Sequence, residues 1–425
     1  MMRPTHDTLQ LMREFPENET LQKDACQALL TKTLMTYELD ALSSQMADEG
    51  GIELLVKAMN RFCDSVHIVT SACRVLSILA NASDANKRRI TEAEGIDSTL
   101  WALNKYTDVT SLHESGNALL YGCIVVQDIL ASSSRTYFNE VTVTDGIPVI
   151  VRTMMCQPSS AKVQINACQT LAYLVKDNDK LQDIATSHGG ILACIAAIRL
   201  HHKNFAVCQA AFGCLRALAS SHTDSNIFIV ENGIVDLIMD MLATYCNGID
   251  APLQKAAVAL LANLSQYGWA ASTNSPWQNE VLGAFCDALL IDYFMPLGAE
   301  ILLAIRSLVQ NKGGCVKQAV DLNVPRAILR AMKTYANSLD FQEQGILTLL
   351  TLSSDLDCWK QIWGVQGSLD IVTDALTNHS SNSEQLLENA LKLLVVLSDG
   401  KAAVSSSVKV VLEKILRESF RLGTC

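Results

Sequence analysis

Fourteen cysteines are the residues with the most obvious chemical potential in this chain. Thiolates bind metals and attack disulfides, but such sites draw on cysteines in close pairs such as CxxC. No CxxC occurs, and the nearest pair, Cys208 and Cys214, is six residues apart. Most lie inside apolar runs (Cys73, Cys123, Cys168, Cys194, Cys214), where a free thiol packs as a small hydrophobe. So many free thiols imply a reducing compartment, and hence the cytoplasm. His113-Glu114 opens a metalloprotease-like HE pair, but no histidine follows four residues on. KDNDK (176–180) has acids spaced as in a calcium loop yet lacks the glycine and closing glutamate, so it reads as a solvated turn. His201-His202 ends a helix-like LHHK, where positive charge is favoured by the helix dipole, which suits a helix terminus better than a metal site. No GxGxxG, GxxxxGK[ST], HExxH or GxSxG is present. The expectation is a chain that is not an enzyme, with no catalytic, cofactor or metal residues.

Composition points the same way. Apolar residues make up 49% of the 425 positions and aromatics only 6%, so the core must be built from Ala, Leu, Ile and Val, which suits close-packed helices. A net charge of −11 repels a phosphate backbone and argues against nucleic acid, while favouring a basic protein surface as partner. The most apolar long segment, 281–309, is broken by Asp287, Asp292, Pro296, Glu300 and Arg306, which excludes an ordinary membrane span there. The opening MMRPTHDTLQ has no apolar run of signal-peptide type, and neither terminus carries a common lipidation signal.

The elements that must position any binding residues are set by a repeat. DGIPVIVRTM (145–154) returns as NVPRAILRAM (323–332). Taking the small residue before each such phrase as an anchor gives Gly51, Gly95, Gly146, Gly190, Gly233, Glu280, Asn323 and Gly367, mostly 43 or 44 residues apart. A second landmark closes a dense apolar stretch downstream, at Leu79, Ile129, Leu174, Leu218, Leu264, Leu308, Leu352 and Leu397. Extra loop explains the two long units: TDVTSLHESG (107–116) and CNGIDAP (246–252). Each unit reads as a short helix, a turn, a second helix and a longer third helix. The anchor glycine is expected in a left-handed turn, and Gly190 is expected to need φ > 0. Proline just after it costs no hydrogen bond. In the third helix at 163–175, Val163, Ala167, Thr170, Leu171 and Leu174 share one face.

A period near 44 fits armadillo or HEAT arrays, and three helices per unit favours the former. LLANLS (260–265), CLRALAS (214–220) and VLSILANAS (75–83), with the repeated Gly-Ile anchor, resemble the armadillo signature over nearly the whole chain. The resemblance implies an all-α, right-handed armadillo-type α-solenoid of about eight three-helix repeats. A degenerate capping repeat is expected over 1–50, repeats over 51–397, and a closing helix over 398–425, within VSSSVKVVLEKILRESF.

Arrays of this kind act through the face lined by their long helices. In armadillo cargo carriers of the importin-alpha type that face bears an asparagine before each closing leucine and a tryptophan four residues earlier. Here the first position holds Ile78, Asp128, Tyr173, Ala217, Asn263, Ser307, Thr351 and Val396. The second holds Arg74, Ile124, Gln169, Gly213, Ala259, Leu303, Leu347 and Lys392, with no tryptophan. This departure argues against a carrier of that type. The resemblance instead implies a protein-interaction scaffold or adaptor, binding a basic helical or extended partner segment, as monomer or homodimer. A regulator of a small GTPase, or a self-assembling structural protein associated with the cytoskeleton, are the alternatives. Candidate contact residues on the long helices are Asp128, Gln169, Tyr173, Arg216, Asn263 and Arg306. Tyr173 fits a partner anchor and equally a half-buried core ring. Trp269 and Trp277, in the loop SQYGWAASTNSPW (265–277), are a second candidate patch.

Overall fold

A computed structural model describes residues 5–107, 140–220, 223–245, 251–267, 278–310, 316–379 and 383–398. Among the described residues are 23 α-helices, one 3-10 helix and no strand. The chain divides into two compact units, Met1–Ser221 and His222–Cys425.

In the first unit the expected trio is clear at Leu39–Asp48, Gly51–Arg61 and Val66–Ala82, and again at Asp179–Ser187, Gly190–Leu200 and Phe205–Ala219. The long helix Glu19–Met35 is preceded by Thr5–Glu14 and packs against Val66–Ala82, while Ala161–Val175 packs against Phe205–Ala219. In the second unit the long helices Ala251–Tyr267, Gly298–Gln310, Leu339–Leu352 and Glu384–Ser398 follow one another in a stack. The closing leucines Leu79, Leu174, Leu218, Leu264, Leu308, Leu352 and Leu397 are all buried, as are Val163, Ala167, Thr170 and Leu171. Ile129, Cys123, His113, the 107–116 insertion and the closing helix within 399–425 lie outside the described residues. No single described helix is long and apolar enough to cross a membrane.

The anchor glycines divide into two kinds, which corrects the single role expected for them. The left-handed residue is Gly50 (φ 72), Glu94 (φ 57) or Gly189 (φ 86), one position before the anchors Gly51, Gly95 and Gly190. At Gly233, Asn323 and Gly367 the anchor itself is left-handed. Gly190 is instead required by space: a Cβ there would stand 2.8 Å from the Ala185 carbonyl oxygen, where the preceding short helix turns into the next. Gly51 meets Met46 O and Gly95 meets Ile90 O in the same way. The left-handed residues then fall 44 apart in each adjacent pair, Gly50 with Glu94, Gly189 with Gly233 and Asn323 with Gly367. Two expected turns are absent. Glu140–Cys156 runs as one helix through Gly146 and Pro148. Gly146 is kept small by its neighbour, since a Cβ would lie 2.7 Å from Leu100 Cδ1. Glu280 sits inside the first turn of Gln278–Leu289, where a carboxylate suits the helix dipole.

Each short helix leaves backbone carbonyls at its end without intrahelical donors. Buried glutamines answer this three times. Gln22 Nε2 donates to Met12 O (2.9 Å) and Phe15 O (3.1 Å). Gln164 does the same to Met154 O (2.8 Å) and Gln157 O (2.9 Å), and Gln342 to Met332 O (2.8 Å) and Tyr335 O (3.1 Å). In each case an amide from the first turn of a long helix closes the end of the helix before it. Successive repeats are stitched by a second device. The Tyr106 hydroxyl donates to Cys63 O (2.8 Å), and the ring Nε2 of His201 and His379 meet Pro158 O (2.7 Å) and Ala336 O (2.8 Å). A carbonyl only accepts, so the proton of both histidines is on Nε2. His201 thus ends its helix as a stitch between repeats. In KDNDK, Asp177 is left-handed (φ 53) and Asn178 caps Asp179–Ser187 through Leu181 N (3.2 Å), as a turn between repeats requires.

Gln342→Leu keeps the volume but leaves the buried Met332 O without its donor, while Tyr335 O keeps the Ser338 N–H (3.1 Å). It should cost about 1–3 kcal/mol in urea unfolding, and an unchanged midpoint would show that water replaces the amide. Gly189→Ala should cost about 1 kcal/mol through its φ. Gly190→Ala should cost more than Gly189→Ala, because a backbone oxygen must move; the reverse order would return the left-handed role to Gly190.

Candidate interaction surface

Among the described residues most cysteines are core side chains. Of the ten described thiols, all free, eight are buried. Burial pushes the thiols of Cys26 and Cys73 up to about 12, which leaves them protonated and inert. Cys168, Cys194 and Cys214 converge from three helices of the first unit, with Cys194 hydrogen-bonded to the other two. Among the described residues no group of three His, Cys, Asp or Glu side chains is placed to hold a metal ion.

The long helices carry the candidate contact residues, and each unit presents its own set. In the first unit Gln169 and Tyr173 lie one turn apart on Ala161–Val175, and Arg216 lies on the adjoining Phe205–Ala219. Tyr173 is 42% exposed, which decides between its two readings: the ring is available and is not core. Gln169 and Arg216 are half-buried. In the second unit Asn263 directs its side-chain Nδ2 at the buried Asn226 Oδ1 (3.2 Å), tying the long helix to the short helix Thr223–Glu231. Part of its amide is therefore structural. Arg306, half-buried on Gly298–Gln310, has an enclosed Nη1 with no acceptor, and burial lowers its pKa from the ordinary guanidinium value. On the next long helix, Leu339–Leu352, the enclosed Oε1 of Gln344 has no donor. The two helices pack together, fixed by Thr348 Oγ1 donating to Leu302 O (3.1 Å). One stacked pair of helices therefore offers an orphan donor and an orphan acceptor. Asp128, Trp269 and Trp277 lie outside the described residues.

Two features escaped the sequence reading. Gln344 was passed over because the search followed the two positions of the cargo-carrier ladder. Trp359 and Trp363, one turn apart in CWKQIWG, stack with ring centres 5.9 Å apart and planes 4° apart. Trp359 Nε1 donates to Val396 O (3.2 Å), so this pair ties the short helix Leu356–Gly364 to the last long helix. Their i, i+4 spacing was the available signal.

A family model described as the LRRK2 ARM repeat matches residues 6–188. No curated protein matches the chain. Among solved structures, the crystal structure of an engineered protein aligns with a TM-score of 0.68 at 19% identity, covering 96% of this chain and 94% of that one. A structure from work on a phosphorylation switch that controls the interaction between cadherin and beta-catenin aligns with a TM-score of 0.67 at 14% identity, covering 92% of this chain and 68% of that one. At these identities the likeness speaks for the fold.

Arg306→Met keeps the aliphatic packing and removes a partly desolvated charge. It should raise the unfolding midpoint, by up to about 1 kcal/mol; a clear fall would show that the guanidinium is held by partners that stabilise the fold. Stacked three-helix layers, their 44-residue spacing, the LRRK2 ARM repeat match over residues 6–188 and the two solved structures agree: the chain has an armadillo-type repeat fold.

Proposed function

We propose that the chain is a non-catalytic scaffold or adaptor of the cytoplasm, which takes a segment of a partner protein along the exposed face of its long helices. The observation that carries this reading is the exposed Tyr173 ring on a long helix, with Arg306 Nη1 and Gln344 Oε1 left without partners on two adjoining long helices of the second unit. A buried donor and a buried acceptor left unpaired cost stability in the free protein. A partner's main chain would offer a carbonyl to the one and an N–H to the other once these side chains turn outward. Exposed Tyr173, on a long helix of the first unit, is an aromatic of the type enriched at binding hot spots. The net charge of −11 favours a basic segment. Protein binding in the cadherin and beta-catenin system is consistent with this use of the fold. The free thiols suit a reducing setting.

The test is selection of peptides from a random display library on the intact chain, followed by affinity measurement on variants. Basic peptides should be selected and should lose about tenfold or more in affinity on Arg306→Ala with Gln344→Ala. Tyr173→Ala should weaken binding without moving the unfolding midpoint, since the ring is exposed. Full retention of affinity in both variants would remove the long-helix face as the binding site.

A further inference from the structure

The second unit has a charged surface that the reading above does not use. The helix Val324–Thr334 buries Val324, Ala327, Ile328, Leu329, Ala331 and Met332 on one side. On the other it exposes Arg326, Arg330 and Lys333, at i, i+4 and i+7. These form a single stripe about 10 Å long. None of the three makes an ion pair among the described residues, unlike Lys360 with Asp357 and Lys392 with Glu388 in the same unit. The helices packed against it carry acids, among them Asp287 on Gln278–Leu289 and Asp370 and Asp374 on Ser368–His379, which are exposed and form no ion pair with the stripe.

Local stability does not account for the stripe. Arg326 sits in the first turn, where the helix dipole disfavours a cation. Arg326 with Arg330, and Arg330 with Lys333, are like-charge neighbours at spacings that destabilise a helix. Only Lys333 is at the favourable end. Nor does composition account for it, in a chain of net charge −11. Beside the stripe, the helix Gln278–Leu289 packs against Val324–Thr334 and is followed by exposed Leu290, Ile291 and Met295. An ordered row of cations with an apolar margin is complementary to one particular kind of surface.

We propose that this outer face docks an acidic amphipathic helix of a partner protein. Its carboxylates would meet Arg326, Arg330 and Lys333 at the same helical spacing, and its apolar edge would cover Leu290, Ile291 and Met295. A membrane is the weaker fit, because polybasic lipid sites use roughly four to eight cations. The charge of the chain as a whole works against a polyphosphate.

The experiment is fluorescence anisotropy on the intact chain with a labelled helical peptide, Glu at i, i+4 and i+7 and Leu along one margin. An isomeric peptide with the same residues and its glutamates spread around the helix is the control. The patterned peptide should bind, and more weakly as salt rises. Arg326→Glu should weaken it about tenfold or more, and Arg326→Gln with Arg330→Gln and Lys333→Gln should abolish it. Arg326→Glu places a carboxylate at the helix start, four residues before Arg330, so folding should be unharmed; the unfolding midpoint checks this. Arg306→Ala with Gln344→Ala should leave this binding intact, which separates it from the long-helix site. Equal binding of the isomeric peptide would reduce the stripe to unspecific attraction and overturn the proposal. So would wild-type affinity in the neutral triple variant, or binding to phosphatidylserine vesicles, lost in that variant, with none to the peptide.

Discussion

The structure depends on how helix ends are closed. A stack of helices six to seventeen residues long has many more termini per residue than a bundle of long helices. Every end leaves carbonyls or N–H groups without an intrahelical partner. The amides of Gln22, Gln164 and Gln342 each bridge two such carbonyls across a helix corner. Asn18, Asn178 and Asn204 cap helix starts through side-chain oxygens. Tyr106, His201 and His379 carry the same accounting from one repeat to the next. Remove these polar groups and the apolar faces still match, but the corners no longer hold one angle.

The corner between the short helix and the second helix is set by a different constraint. At 50–51, 94–95 and 189–190 one residue is left-handed and the next has no side chain, because a carbonyl oxygen stands under 3 Å from where its Cβ would be; at Gly233, Asn323 and Gly367 only the first demand holds, and Ile234, Val324 and Ser368 follow. Gly-Gly satisfies both demands at 50–51 and 189–190. Glu94 and Asn323 show that the first demand tolerates other residues, at a small cost in strain.

With the corners fixed, the two faces of each layer diverge in chemistry. The long-helix face carries isolated polar groups among apolar neighbours, so its contacts are few and directional. The outer face of the second unit carries a continuous row of like charge on a helix that would be more stable without it. Surfaces maintained against local stability are where partners are to be sought.

The all-α class, the 44-residue period, the three-helix unit and the buried faces of the long helices were legible in the sequence, because each follows from hydrophobic spacing along a single chain. So was the bland role of the thiols, from their apolar neighbours. Five of the candidate contact residues, Gln169, Tyr173, Arg216, Asn263 and Arg306, were rightly placed on the long helices. Which of them are free was not legible. Asn263 donates to Asn226, Tyr173 stands open and Arg306 holds an unpaired nitrogen, and in each case the partner lies on another helix, tens of residues away. The offset of the left-handed residue from Gly190, the continuity of Glu140–Cys156 through Gly146, and the stitches at His201 and His379 were likewise decided by packing. Spacing in a sequence reports which face of a helix a residue occupies. Only the stacked structure fixes which atom of the next helix stands opposite it.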